Sequence, residues 1–302
     1  MAPTAGDEAK ILADLLGGER VATSPLLPPT GTATLTGQAG GPMPSWSRRA
    51  ALLIISLTLL VALVVLSPPL LEQLSPLAGT ALFAAALGLI AWGAARASGE
   101  RLLGAGSSAY LQAPLWTAIG LGAMAWCALA LAFGGRLRSD DAPVGIAVLV
   151  GIGATLLQAA GEEIFFRGWV QPVLARIVRP EIALLIAAAL FAAVHLAGDW
   201  SAPLSLLNIL LAGLWFGLLA QHTGGLVAPI AAHFAWNAGE TCIFGLYPNP
   251  GYGPWGALFG RDISGPPLWG GGDEGLNASV LVTCTIGGIV VLLAASRRRQ
   301  FI

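Results

Sequence analysis

The stretch AALLIISLTLLVALVVLS, residues 50–67, runs without a single charge, close to the ~20 apolar residues that a helix needs to cross a bilayer. Arg48 and Arg49 stand immediately before it. Similar apolar runs recur at 77–95, 114–134, 143–178, 181–198, 204–221, 226–247 and 278–296. The composition agrees, since 56% of the 302 residues are hydrophobic and 10% are charged, against about 25% charged in an ordinary soluble chain. We expect an all-α, polytopic membrane protein with about eight transmembrane helices. The fourth run exceeds one crossing and is expected to project, tilt or break near Gly161.

Working outward, the arginines set an orientation. Arg48 and Arg49 precede the first run, Arg96 and Arg101 follow the second, Arg176 and Arg179 follow the fourth, and Arg297 to Arg299 follow the last. All share one side if both termini are cytoplasmic; Arg136 and Arg138, beside Asp140 and Asp141, and Arg261 are the exceptions. The expected organisation is a flexible cytoplasmic tail over 1–45, two transmembrane helices over 46–113, and a core over 114–247. An outer Gly/Pro/aromatic loop over 248–277 and a last helix with a basic C-terminus over 278–302 follow. The tail holds one helix-like stretch, Asp7 to Leu16, and then a Pro/Gly/Thr run too polar to bury a core, with no secretory signal. In the loop, Tyr252, Trp255, Phe259 and Trp269 read either as interfacial anchors or as a cap over a cavity. Cys127, Cys242 and Cys284 show no metal-site spacing and read as buried free thiols. The formal net charge of −1 offers no excess of cations for a phosphate backbone, so the partners are a lipid bilayer and not nucleic acid. Lys10 is the only lysine, an arginine bias that points to a GC-rich genome and so to a bacterial inner membrane.

Charge inside the apolar runs is the functional signal, because an ionisable group in hydrocarbon is costly. The informative positions are Glu162, Glu163 and Arg167, then His195, then His233 with Asn237. Glu163 and Arg167 stand at i,i+4 and read as a helical ion pair, whereas Glu162 is rotated by about 100° and left without a local partner. A charged helix end that snorkels to the interface is the plainer explanation. Depth arithmetic opposes it. Glu162 lies 17 residues before Arg179 and His195 lies 15 after Pro180, so a hairpin at that Arg-Pro turn brings the two side by side, about 22 to 26 Å from the turn at 1.5 Å per residue. That depth falls in the inner half of the membrane. His233 and Asn237 share one helical face beyond a kink expected at Pro229 and return from the Gly224-Gly225 turn. His222, at that turn, reads as a solvated helix end. A carboxylate, two imidazoles and an amide can activate a water and stabilise an oxyanion; Glu162, His195 and His233 are also a zinc-type set, although HExxH is absent.

Glu162-Glu163-x-x-x-Arg167, Phe191-x-x-x-His195 and His233-x-x-x-Asn237, in that order on separate apolar helices, resemble the CPBP family of intramembrane proteases. These are relatives of the CAAX prenyl endopeptidase and of bacteriocin-processing and immunity proteins, and the resemblance covers about residues 114–247. It implies an intramembrane endopeptidase that hydrolyses a peptide bond near the membrane anchor of a protein or peptide substrate. Glu162 would activate the water with His195 as its partner, His233 and Asn237 would stabilise the oxyanion, and Glu163 and Arg167 would brace the motif helix. No cofactor is favoured. A zinc-dependent version would take Glu162, His195 and His233 as ligands and so compete with the base for the same glutamate. The alternatives are a non-proteolytic scaffold or bacteriocin immunity protein, and an ion-coupled transporter, which predicts inverted repeats that the sequence does not display.

Overall fold

The computed structural model describes residues 46–71, 73–106, 108–139, 144–198, 200–251 and 253–299. The N-terminal tail, Asp140, Asp141 and Tyr252 lie outside them, as do the side chains of Arg297 to Arg299. Eight main helices fall on the eight apolar runs: α1 (Trp46–Leu66), α2 (Pro76–Ser98), α3 (Ala109–Phe133), α4 (Ile146–Phe165), α5 (Pro180–His195), α6 (Pro203–Thr223), α7 (Val227–Ala238) and α8 (Val280–Arg299). Among the described residues, five helices are long and apolar enough to cross a membrane: α1, α2, α3, α6 and α4 with its continuation to Ala175. Three are shorter. The 16 residues of α5 span about 24 Å, and the 12 of α7 about 18 Å.

Breakers and caps explain the helix ends. Ser75 caps α2 by accepting from the Ala78 amide, and Gly99 ends it in the left-handed conformation that glycine adopts without strain. Pro180 and Pro203 open α5 and α6 at N1, where the missing N–H costs no bond. Pro229 sits in the first turn of α7 for the same reason, so it starts the helix and does not kink it. The long fourth segment breaks not at Gly161 but five residues later, at a π-helical turn over Phe166–Val170 that leads into a short helix, Gln171–Ala175. Gly161 instead lets α2 approach: a Cβ there would stand 2.8 Å from Ala84 Cα.

The outward faces are apolar. Only Leu53, Ser56 and Leu60 of α1 are buried, while Ile54, Leu59, Leu89, Trp92, Trp126, Leu149, Leu185 and Leu292 stand exposed, as lipid contact requires. Inside lie two apolar clusters. One joins α3, α6, α7 and α8 through Trp116, Met124, Trp215, Trp236 and Ile286. The other joins α1, α2, α5 and the inner end of α4 through Leu53, Leu87, Phe165, Trp169 and Phe191. Trp169 Nε1 donates to Ser56 Oγ at 3.0 Å, which fastens α1 to the bundle. α7 packs against α3, α4 and α6 and so runs through the centre.

The all-α expectation needs one amendment. A small sheet, in the order β1 (Leu137–Ser139), β3 (Arg261–Ile263), β2 (Leu246–Tyr247), ties the α3–α4 connection to the 248–277 loop. The loop is also held by Glu274, whose Oε1 accepts from the Ser201 and Ala202 amides at 2.8 and 2.7 Å just before α6. Burial raises that carboxyl's pKa, but these donors outweigh it and hold the group below its ordinary value. Cys127 and Cys242 are buried and Cys284 is exposed, all three as free thiols.

Gly161→Val should lower thermal stability in detergent by ~1–3 kcal/mol through the clash with Ala84. Gly122→Ala, where no atom lies within 4 Å of the added Cβ, should leave it unchanged or slightly higher. Equal melting temperatures for the two variants would contradict this packing.

Candidate active site

Arg167 organises the junction between the two apolar clusters. It is 1% exposed, and its guanidinium lies 4.5 Å from the Phe191 ring centre and 5.5 Å from that of Phe216. NH1 donates to Glu163 Oε1 at 2.9 Å and NH2 to the Gly213 carbonyl at 3.0 Å, the second bond linking α4 to α6. The i,i+4 spacing within one helix makes the first bond available before any tertiary packing. Glu163 is fully buried, and the same Oε1 also accepts from His233 Nδ1 at 2.9 Å, tying α7 to α4.

That contact fixes the imidazole. A carboxylate already paired with arginine can only accept, so His233 Nδ1 carries the proton. Phe216 stacks on the ring at 4.6 Å with planes 14° apart, and Nε2 then lies 3.9 Å from Glu162 Oε2. This is beyond a direct hydrogen bond and within reach of a shared water. His195 is held in the same way: Nδ1 lies 2.7 Å from the Phe191 carbonyl, an oxygen that can only accept, which leaves Nε2 free. Both histidines thus offer the same nitrogen.

Glu162, His195, His233 and Asn237 all line one cavity of about 310 Å3. The cavity is walled by the middle and C-terminal half of α4, the N-terminal half of α6, the C-terminal ends of α5 and α7, and Asn249, Pro250 and Trp255 of the outer loop. The loop therefore covers the cavity through Trp255, while Phe259 and Trp269 remain exposed. At the opposite end of the bundle Glu100 pairs with Arg49 at 2.8 Å and lies 3.8 Å from Arg176, so the cavity opens away from the basic helix ends. His222 lies outside it, with Nε2 3.4 Å from Ser296 Oγ.

Three lining residues escaped the sequence reading. Gln158, one turn before Glu162, donates Nε2 to Glu162 Oε1 at 3.1 Å, so Glu162 has a local partner after all. Glu240 is a second buried carboxylate; it falls inside the 226–247 run, three residues past Asn237 on a similar face, and that spacing was the available signal. Asn277, from the loop, donates to Glu240 Oε1 at 2.6 Å; only tertiary structure could bring it there. Among the described residues no three His, Cys, Asp or Glu side chains are grouped so as to hold a metal ion.

The structure is a polytopic helical bundle whose polar residues converge on one internal cavity. Residues 144–239 match the family described as type II CAAX prenyl endopeptidase Rce1-like, a match that supports the CPBP/CAAX protease family. No curated protein and no solved structure matches the chain. The matched segment runs from the start of α4 to the second π-helical turn and contains Glu162, Glu163, Arg167, His195, His233 and Asn237.

Glu163→Ala or Arg167→Ala should each destabilise the protein by ~3–5 kcal/mol, because either leaves a buried charge unpaired. Glu162→Gln should stay within about 1 kcal/mol of wild type, since the Gln158 amide can still meet a neutral acceptor. Thermal unfolding in detergent separates the two groups, and an equal loss at Glu162 would assign it to the scaffold.

Proposed function

We propose that this protein is an intramembrane endopeptidase that hydrolyses a peptide bond beside the membrane anchor of its substrate, with Glu162 as general base. The observation that carries the reading is the 3.9 Å separation between Glu162 Oε2 and His233 Nε2 at the wall of an internal cavity. A water held between them gives its proton to Glu162 and attacks the scissile carbonyl. His233, its Nδ1–H held by Glu163, turns Nε2 towards the oxyanion and donates to it when that nitrogen carries a proton, and the Asn237 amide supplies a second donor. His195 orients the water through Nε2. Glu162 then returns its proton to the leaving amine, so the base of the first step is the acid of the second. The substrate is a membrane-anchored protein or peptide.

The metal-free reading is supported by the donor set. Zinc bound by Glu162, His195 and His233 would consume the carboxylate that faces His233 across the water, and Glu163 cannot replace it while bound to Arg167 and His233. The scaffold and immunity alternatives leave unexplained why both histidines are fixed with Nε2 free. Glu162→Gln should cut cleavage of a co-expressed membrane substrate by about 10³-fold or more, and a strong chelator should leave the wild-type rate unchanged. Zinc-specific restoration after chelation would reassign the mechanism to a metalloprotease; full activity in the Glu162→Gln protein would remove Glu162 from catalysis altogether.

We further propose eight crossings with both termini in the cytoplasm. The Arg49, Glu100 and Arg176 contacts gather these basic helix ends on one face. Reporter fusions after residue 302 should score as cytoplasmic, and those within 264–272 as external. An external C-terminus would reverse the assignment.

A further inference from the structure

Glu240 has no part in the hydrolysis described above, yet it is 3% exposed and lines the same cavity. It lies in a second π-helical turn, Gly239–Ile243, that continues α7. Asn277 satisfies Oε1. Among the described residues no donor reaches Oε2 and no basic side chain pairs with the carboxylate. Unlike Glu163 Oε2, this oxygen is not sealed within protein. A buried carboxylate needs a counter-charge or a full set of donors, and the protein itself supplies neither.

The surroundings select the kind of partner that would. Among the described residues no Arg or Lys lines the cavity, while Trp200, Trp236 and Trp255 do, and aromatic faces attract cations and not anions. The amides of Asn208, Asn249 and Asn277 add carbonyl acceptors. Glu240 stands about 4.5 Å farther along the helix axis than Asn237, three residues at 1.5 Å each. An extended peptide advances about 3.3 Å per residue. A side chain bound at Glu240 therefore belongs to a residue within about three of the scissile bond.

We propose that this end of the cavity is a subsite for a cationic side chain, Lys or Arg, of the substrate, with Glu240 as its counter-charge. The inference rests on the proposed endopeptidase reading only in treating the ligand as a peptide. A substrate whose cleaved bond lies beside a basic residue, approaching from the face away from the Glu100 cluster, fits this site. A peptide carrying an acidic side chain there is repelled.

The test uses full-length protein with Glu162→Gln, in nanodiscs of neutral phosphatidylcholine. The probe is a library of N-palmitoylated nonapeptides randomised over Ala, Leu, Phe, Lys and Glu at the five central positions. Peptides retained by the protein, relative to empty nanodiscs, should be enriched about tenfold in Lys over Glu, the scale of one desolvated cation contact. Adding Glu240→Gln should remove that enrichment while leaving Leu-rich peptides retained as before, and adding Glu240→Lys should invert it towards Glu. No Lys enrichment, or an enrichment that survives Glu240→Gln, overturns the subsite. A fall in retention of all peptides alike after Glu240→Gln assigns the residue to structure and also overturns it. The wild-type protein is offered the same library in parallel. Lys retention without cleavage would count against the hydrolytic reading and leave the subsite standing, whereas cleavage with no Lys preference would do the reverse.

Discussion

A carboxylate buried where no water can reach it must be matched by donors from the chain itself, and Glu163 meets that requirement through one oxygen. Oε1 accepts from Arg167 in the next helical turn and from His233 seventy residues away. The first bond is local and forms with the helix, so the guanidinium is in place when α6 and α7 arrive. The second bond joins α7 to α4, and the Arg167 bond to the Gly213 carbonyl joins α6 to α4. Three helices thus take their relative positions from one ion pair. Because apolar helices gain little from burying against one another in lipid, such polar contacts carry more of the specificity of packing than they would in a soluble core. The same contact sets the tautomer of His233, so assembly and chemistry depend on one oxygen atom.

Peptide hydrolysis in hydrocarbon requires water and a polar transition state where neither is welcome. The bundle answers with asymmetry along its axis. At one end Arg49, Arg176 and Glu100 form an ionic surface suited to headgroups. Towards the other a cavity lies between the helices, lined by Thr155, Gln158, Asn208, Asn237 and Thr241. These groups hydrogen-bond to water without adding net charge. The loop that covers this end is itself anchored, by Glu274 on the start of α6 and by the sheet on the end of α3, so Trp255 closes the cavity from a fixed base.

The positions of the helices could be read from composition alone, because hydrocarbon imposes a length and excludes charge. The motif residues could be read for the same reason: a Glu or His in an apolar run is conspicuous. What the sequence obscured were relations that depend on helix rotation. Glu163 was legible as the partner of Arg167 but not of His233, since nothing in the chain specifies which face of α7 meets α4. His195 was the expected neighbour of Glu162, and both line one cavity, but the 3.9 Å approach to Glu162 comes from His233. Depth arithmetic set the pair at one level along its helices, and length alone does not reveal which faces the helices turn to one another. Glu240 was overlooked although it stands in an apolar run, in the shadow of the better-known spacing just before it.

The two π-helical turns explain how one helix serves both chemistry and scaffold. Each inserts an extra residue into a turn, and π turns of this kind gather at functional sites. In α4 the insertion follows Glu162 and Glu163 and rotates everything beyond it by about 100° relative to an uninterrupted helix. Upstream, Thr155, Gln158 and Glu162 face the cavity as one stripe. Downstream, Trp169 reaches Ser56 on α1 and Gln171 reaches the Gly217 carbonyl on α6 at 3.1 Å. A straight helix in the same position would turn either the stripe or the scaffold contacts away from their partners. The turn after α7 follows His233 and Asn237 in the same way, and Glu240, within it, lines the cavity. The irregular backbone lies where the protein must present polar atoms to an internal space, and there water and side chains can satisfy the groups that a regular helix would have paired.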